Sequence, residues 1–151
     1  MKTNVMLAML LVMVLNSCAI SVSSETKEAI VPSKNYITKK VKVDDFNAIS
    51  TSTSIDVVYT QTTGDTEVEI YAPDNLMEYV KVKVDGGMLK ISFQSKEKSK
   101  GINIKGKHET EVRVSAPAIH SLQASSSGDI ILKNGLQYAG EVSLKSSSSG
   151  D

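Results

Sequence analysis

The chain has 151 residues, enough for one domain, and its 17 Lys and Arg residues are matched by 17 Asp and Glu residues. This zero formal charge argues against a nucleic-acid-binding protein, because such proteins need a basic excess gathered on one face. The single cysteine excludes an intramolecular disulfide and any cysteine-based zinc site.

The N-terminus has the pattern of a secretion signal. Lys2 gives a short positive start, and residues 6–15 form an unbroken apolar run. The apolar core of a signal peptide typically has about 7–15 residues, whereas a membrane-spanning helix needs about 20. We therefore assign residues 1–17 to a signal peptide and exclude them from the fold.

Cys18 directly follows this signal. Residues 15–18, Leu-Asn-Ser-Cys, resemble the lipobox of bacterial lipoproteins, in which the cysteine becomes the lipidated first residue. The resemblance implies that Cys18 is the lipidation site and holds the protein on a membrane. Ala19 in the next position resembles the class of lipoproteins sorted to the outer membrane. The alternative is an ordinary cleaved signal with an incidental cysteine.

Residues 18–35 are polar and rich in Ser, Glu and Lys, which predicts a tether without a core of its own. From residue 36 onward, mostly β-branched apolar residues alternate with polar ones. This period of two predicts short strands with one apolar and one polar face, and therefore an all-β domain over residues 36–151. The alternating segments are residues 37–43, 67–71, 80–85, 89–94 and 111–115.

Turn signals separate these segments. Gly86-Gly87 lies between two of them and predicts a tight hairpin, because glycine readily adopts a positive φ. Two further turns are predicted at residues 73–75 and 105–107, which contain Pro, Asn or Gly. The only candidate helix, residues 74–79, amounts to a single turn at most.

Short sequences recur along the chain. Leu-Gln-Ala-Ser-Ser-Ser-Gly-Asp at residues 122–129 returns as Leu-Lys-Ser-Ser-Ser-Ser-Gly-Asp at residues 144–151, an offset of 22 residues. Residues 68–73 and 112–117 also match, at an offset of 44 that equals two such periods. A weaker copy at residues 49–56 lies 73 residues before the first motif, so an insertion must intervene, which we assign to the glycine hairpin.

A repeat of this length is typical of solenoids. At about 3.3 Å per strand residue, one period forms three short strands and three turns, which is one coil of a parallel β-helix. Stacked coils predict three vertical pairs: Leu122 with Leu144, Ser126 with Ser148, and Gly128 with Gly150. The alternative is that the serine runs at residues 125–128 and 146–149 are low-complexity linkers.

Six short motifs follow one another in the order Phe46-Asn-Ala-Ile49, Ile55-Asp-Val-Val-Tyr59, Ala72-Pro-Asp-Asn-Leu76, Leu89-Lys-Ile-Ser-Phe93, Gly101-Ile-Asn103 and Ser126-Ser-Gly-Asp129. Together they resemble the auto-transporter adhesin, head GIN domain, family of secreted and lipid-anchored envelope proteins of Bacteroidetes-type bacteria. The resemblance covers roughly residues 39–151. It implies a right-handed parallel β-helix and a non-catalytic adhesin or structural role at the cell envelope.

Domains of this family usually continue through further Ser-Gly-Asp coils, whereas this sequence stops at Asp151. We therefore expect a truncated reading frame or missing coils. A solenoid needs a capping coil, and an uncovered strand edge invites pairing with another chain. Self-association through the last coil is thus expected, and the fragment 19–151 should be oligomeric or poorly soluble.

Patterns of catalytic residues are sparse. A nucleophile needs a base within hydrogen-bond distance, and the only histidines are His108 and His120. His108 lies in a charged loop and His120 beside a turn, so we interpret both as exposed surface residues. Metal-binding histidine spacings and a phosphate-binding glycine loop are both missing from the sequence. We predict no enzyme and no cofactor.

Two alternatives to a bare adhesin remain. Asp129 and Asp151 could bind calcium along a solenoid edge, although Asx turns are favoured because each motif has a single carboxylate. A carbohydrate-binding module is the main functional rival, though two Phe, five Tyr and no Trp offer few sugar-stacking rings. A polysaccharide-active enzyme is disfavoured, since the serine-rich face has only Lys133, Lys145 and Asp129 nearby. The identity of a glycan or protein partner is left open.

Overall fold

The computed structural model describes residues 27–97 and 101–147, and this part of the chain is all-β, without a helix. Several strands alternate buried residues with more exposed ones, as the period-two pattern predicts. The strands are β1 (Glu28–Ile30), β2 (Tyr36–Val41), β3 (Ala48–Ser52), β4 (Asp56–Gln61), β5 (Glu67–Pro73), β6 (Val80–Asp85), β7 (Met88–Phe93), β8 (Ile102–Ile104), β9 (Glu111–Ala116), β10 (Ser121–Ser125), β11 (Ile130–Leu132) and β12 (Ser143–Ser147).

The strands form two open five-stranded sheets and one two-stranded sheet. Sheet I has the order β12-β10-β3-β7-β6, sheet II has the order β11-β4-β9-β5-β2, and β1 pairs with β8. Apolar residues from both large sheets share one buried cluster, so the core lies between their inner faces. Tyr59 is fully buried in this cluster, and its hydroxyl donates a hydrogen bond to the Pro117 carbonyl at 2.6 Å.

The register of sheet I agrees with the sequence repeat. Strand β10 is parallel to β3 and to β12, with Leu122 beside Ile49 on one side and Leu144 on the other. The predicted pair of Leu122 and Leu144 is therefore confirmed. The 73-residue offset also has a direct meaning, because it is the register between the neighbouring strands β3 and β10. Ser148 and Gly150 lie outside the described residues.

The second repeat was interpreted wrongly from the sequence. Residues 68–73 and 112–117 were expected to stack as parallel copies two coils apart. Instead β5 and β9 are antiparallel neighbours, with Val68 opposite Val114 and Ile70 opposite Val112. An alternating pattern of β-branched residues fits either strand direction, which is why sequence similarity did not reveal it. Both sheets therefore mix parallel and antiparallel pairs.

The corner between β3 and β4 is tightly built. Thr51 is fully buried, and its hydroxyl donates a hydrogen bond to the Ile55 carbonyl at 2.9 Å. Gly128 lies against the same corner: a Cβ atom there would overlap the Ile55 carbonyl oxygen and lie 2.8 Å from the Thr53 carbonyl oxygen. Gly128 thus lies where two backbones approach so closely that a side chain has no room.

Of the three predicted turns, two are present, and residues 105–107 form a loop with a bend at Gly106. Gly86 and Gly87 connect β6 to β7 with φ values of 60° and 74°. Residues 74–79 form hydrogen-bonded turns and no helix.

The end of the predicted polar tether is docked on the domain. Strand β1 lies within residues 18–35 and pairs in parallel with β8. Further along, the Ser33 backbone N–H donates to the side-chain oxygen of Asn75 at 2.9 Å. The Asn35 side-chain amide donates to the Asp74 carboxylate at 2.9 Å. Hydrogen bonds from Ser33 and Asn35 hold the pKa of Asp74 below its usual range.

Candidate functional site

An open groove of about 1010 Å³ lies beside sheet II, between the start of β2 and the loop that follows β8. Tyr36 of β2 and Tyr71 of β5 line it from one side, and Phe93 at the end of β7 lines it from another. Ile104 and His108 complete the wall. Three of the chain's seven Phe and Tyr residues are thus gathered in this groove.

The aromatic rings in the groove are held in fixed geometry. Tyr36 and Tyr71 are diagonal neighbours on antiparallel strands, and their rings stack with centroids 5.1 Å apart. The Arg113 guanidinium carbon lies 5.2 Å from the centre of the Tyr71 ring. The Tyr36 hydroxyl accepts a hydrogen bond from the Glu109 backbone N–H at 3.2 Å. The rings are therefore pre-positioned and would lose little freedom on binding a ligand.

His108 is partly buried in the groove wall, so the expectation that it is an exposed surface residue was wrong. Its ring meets the Phe93 ring edge-on with centroids 5.8 Å apart, and its Nδ1 lies 3.1 Å from the Thr110 hydroxyl. Burial lowers the pKa of His108, and the Asp56 carboxylate opposes this effect. The imidazole is therefore held in its neutral form near neutral pH.

The pair of His108 and Thr110 does not make a nucleophilic site. Thr110 is only 3% exposed, so a substrate atom has no path to its hydroxyl. A catalytic hydroxyl must reach both its base and the substrate. The hydrogen bond between His108 and Thr110 can orient the imidazole ring and thereby shape the groove wall.

The outward face of sheet I is a second candidate surface. It bears lysines, serines and a glutamine, and Asp85 is its only acidic residue. We call it the Ser–Lys face. Its members are Lys81, Lys83, Asp85, Met88, Lys90, Ser92, Ala48, Ser50, Ser52, Ser121, Gln123, Ser125, Ser143, Lys145 and Ser147.

The lysines of this face differ in their partners. Lys90 forms an ion pair with Asp85 at 2.5 Å, which lowers the pKa of Asp85. The Lys81 ammonium donates to the Glu78 carbonyl at 2.7 Å. Lys83 and Lys145 are exposed and make no hydrogen bond or ion pair within the described ranges. Two cations of the face are thus open to a ligand.

The remaining predicted residues are spread over the structure. Cys18 and Asp151 lie outside the described residues. Asp129 is brought next to Asp56, whose carboxylate accepts the Asp129 backbone N–H at 3.1 Å. His120 is partly buried, contrary to expectation, and its Nδ1 lies 2.7 Å from the Asn47 carbonyl.

Neither a candidate metal centre nor a membrane-spanning helix is present in the described ranges. Across residues 27–97 and 101–147, His, Cys, Asp and Glu side chains nowhere gather in a group of three able to hold a metal ion. The same ranges contain no helix of the length and apolar character that crossing a membrane requires.

Comparison with known protein families identifies the family of this chain. The sequence profile described as "Putative auto-transporter adhesin, head GIN domain" matches residues 45–151. The chain belongs to this family. The family's adhesin description indicates an exported or surface protein. No curated protein matches the sequence.

Solved structures of similar fold come from Bacteroides and Parabacteroides species. A "putative adhesin" from Bacteroides fragilis is 29% identical with a TM-score of 0.70, and the match covers 80% of this chain and 53% of that one. A "putative adhesin" from Parabacteroides merdae is 23% identical with a TM-score of 0.66, covering 78% and 46%. A "putative lipid binding protein" from Parabacteroides distasonis is 22% identical with a TM-score of 0.61, covering 70% and 44%. This chain therefore spans about half the length of these structures.

Sequence reasoning missed both candidate surfaces. The groove residues Tyr36, Tyr71 and Phe93 are far apart in the sequence, and only the strand pairing brings them together. The Ser–Lys face had a visible signal, because alternating lysines at residues 81 and 83 must project from the same side of a strand. That pattern was interpreted only as the polar side of an amphipathic strand.

Proposed function

We propose that this protein is a non-catalytic binding module of adhesin type, displayed at the bacterial cell envelope. The observation that carries the proposal is the family match over residues 45–151. Two further features support it. The groove holds aromatic rings in a fixed arrangement, and the Ser–Lys face offers lysines without an ion pair in the described ranges beside hydroxyl groups.

We also propose that Cys18 holds the module on the outer membrane by a lipid. Acyl chains contribute about 0.8 kcal/mol per buried CH₂, so two or more chains give durable anchoring. In this proposal residues 1–17 are removed, and the polar segment that follows Cys18 leads to the domain at 36–151. Labelling cells with a radioactive fatty acid should mark the wild type and leave Cys18→Ala unmarked. An unlabelled wild type would end the lipoprotein proposal.

For the architecture we propose a right-handed parallel β-helix of coils of about 22 residues, interrupted by the β6–β7 hairpin and its antiparallel neighbours. The support is the parallel register that aligns Ile49, Leu122 and Leu144. A fusion protein in which coils of a longer relative continue these coils in register could be crystallised. Its structure would show the handedness of the coils and the number of residues in each.

Attachment of cells tests the adhesin role. Deleting the gene should lower adhesion of cells to host or bacterial surfaces, and the wild-type gene should restore it. A Cys18→Ala gene should restore less, because the module would lose its anchor. Full adhesion in the deletion strain would contradict the role.

Carbohydrate binding in the groove is the second candidate function. The observation that favours it is the clustering of aromatic rings in the groove of a chain that has few. Tyr36→Leu keeps apolar bulk and removes the ring and hydroxyl, so it should abolish signals on a glycan array. Tyr138→Leu, an exposed tyrosine outside the groove, is the matched control. Equal array signals for all three proteins would remove this candidate.

A further inference from the structure

The Ser–Lys face contains a straight row of donors that crosses sheet I. Strand registers place Lys145 beside Gln123, Gln123 beside Ser50, Ser50 beside Lys90, and Lys90 beside Lys83. Neighbouring strands lie about 4.8 Å apart, so the row is roughly 19 Å long. It has a lysine at each end and another next to Lys83, with an amide and a hydroxyl between them.

This face carries more uncompensated charge than the outward face of sheet II. There, Lys40 pairs with Glu67 at 3.3 Å and Glu69 at 3.5 Å, and Arg113 pairs with Glu111 at 2.5 Å. On the Ser–Lys face Lys90 forms an ion pair with Asp85, and Lys83 is also near enough to Asp85 to lower the pKa of that carboxyl, so one acidic residue faces four lysines. A mobile anion would therefore meet an excess of positive charge on sheet I and mostly satisfied pairs on sheet II.

The chemistry of the face restricts the partner. Except for Met88 and Ala48, its side chains are polar, and none of them is aromatic. An apolar protein surface would gain little there, and bases of single-stranded nucleic acid would find no stacking platform. Hydroxyl, amide and ammonium groups instead match a chain that carries both hydroxyls and anionic groups. A shallow depression of about 240 Å³ between Lys83, Lys90 and Ser52 gives room for part of such a chain.

We propose that the Ser–Lys face binds an acidic polysaccharide that lies across the strands along the row from Lys145 to Lys83. Lys83 and Lys145 contact carboxylate or sulfate groups at the two ends, while Gln123 and Ser50 hydrogen-bond sugar hydroxyls between them. The inference rests on the proposed binding function and names the ligand class. It does not involve the aromatic groove.

Full-length protein purified in detergent is tested against immobilised polygalacturonate by biolayer interferometry. The probe arms are polygalacturonate, its methyl ester, dextran sulfate and a single-stranded DNA oligonucleotide. Polygalacturonate should bind, and the neutral methyl ester should not. Dextran sulfate binding in addition would show that the face selects anionic sugars in general, and its failure would restrict the ligand to uronic acids. Equal binding of the DNA would overturn the inference, because any polyanion would then suffice.

The double substitution Lys83→Gln and Lys145→Gln should weaken binding of polygalacturonate at least about fivefold, since two exposed charge contacts are lost. The control, Lys39→Gln with Lys133→Gln, removes the same charge from outside the Ser–Lys face and should leave binding unchanged. Circular dichroism melting confirms that both variants fold. Equal loss in both variants, or no loss in the first, would overturn the inference.

Adhesion assays separate this inference from the proposed function. If cells lose adhesion on gene deletion but the purified protein ignores polygalacturonate, the ligand assignment fails and the adhesin role stands. If the protein binds polygalacturonate while deletion leaves adhesion unchanged, the ligand assignment stands and the adhesin role fails.

Discussion

The Ile55 carbonyl lies at the corner where the chain passes from β3 in sheet I to β4 in sheet II, and single residues around it stabilise this corner. The Ile55 carbonyl oxygen accepts a hydrogen bond from the Thr51 hydroxyl, which belongs to the same corner. Gly128, in the turn between β10 and β11, packs against the same oxygen. A buried carbonyl that lost its partner would cost about 1–3 kcal/mol, so the hydroxyl at Thr51 has a structural purpose. Hydroxyl side chains in this protein therefore satisfy buried backbone groups at the corner as well as covering the surface.

Gly128→Ala should destabilise the protein by about 1–3 kcal/mol, because the new methyl group meets backbone oxygens that cannot rotate away. Urea denaturation followed by circular dichroism measures the loss. Gly64→Ala is the matched control, since the nearest atom to its new Cβ is the Thr62 hydroxyl at 3.5 Å. An equal loss at both positions would show that the close approach at Gly128 is not the cause.

His108 makes the stability of the protein depend on pH. Burial against Phe93 lowers the pKa of His108 in the folded state, while the unfolded state keeps a value of about 6.5. The unfolded chain therefore binds a proton more readily as the pH falls below that value. Stability should be full above about pH 6.5 and should decrease as the pH falls toward the lower folded-state pKa.

The variant His108→Gln tests this dependence. Urea midpoints at about pH 7.5 and about pH 5.5, on either side of the unfolded-state value, give the pH effect for each protein. The wild type should lose more stability between these values than His108→Gln, because glutamine does not titrate. Carboxylates away from His108 contribute equally to both proteins and cancel in the comparison. Identical pH effects would show that His108 does not titrate differently in the two states.

At the scale of elements, the β6–β7 hairpin needs a residue with a positive φ at its first turn position. The need for glycine there comes from this backbone conformation and not from a lack of space. Gly86 has a φ of 60°, and no atom lies within 4 Å of the place where a Cβ would be. Gly86→Val should therefore lose about 1–2 kcal/mol through left-handed strain without any clash. Gly86→Asn should lose less, since asparagine tolerates this region. Denaturation midpoints check the order, and equal losses would contradict it.

The strands could be located from the sequence, but not their neighbours. The alternation of Val80, Val82 and Val84 identified β6, because period two belongs to a half-buried strand. Direction and order of pairing depend on contacts between distant segments, which alternation does not encode. Hence the parallel pair of β10 and β12 was found from near-identical sequences, whereas β5 and β9 were assigned the wrong direction.

For the whole molecule, contacts between distant segments again decide which candidate sites can be predicted from the sequence. Cys18 could be predicted because a lipobox is a local pattern. The aromatic groove could not, since β2, β5, β7 and the loop after β8 each contribute a part of it. The partial burial of His108 and His120 was missed for the same reason: their neighbours Phe93 and Asn47 come from other segments.

Among the described residues, β12 is the edge strand of sheet I, and apolar surface beside it is exposed. Leu144 is 69% exposed, and with Leu122 and Leu132 it lines an apolar cavity of about 340 Å³ at the end of the core. An exposed edge strand beside apolar residues is a template for pairing with another chain. We therefore expect self-association through this end of the molecule.

Leu144→Glu should lower the average mass of the full-length protein in light scattering, because a carboxylate at this edge disfavours burial against a second copy. Val31→Glu is the matched control, since Val31 is also 69% exposed but lies after β1, outside the apolar cavity. Association that persists in Leu144→Glu but disappears in Val31→Glu would place the contact at the other end of the chain. A wild type that is monomeric at all concentrations would contradict the expected self-association.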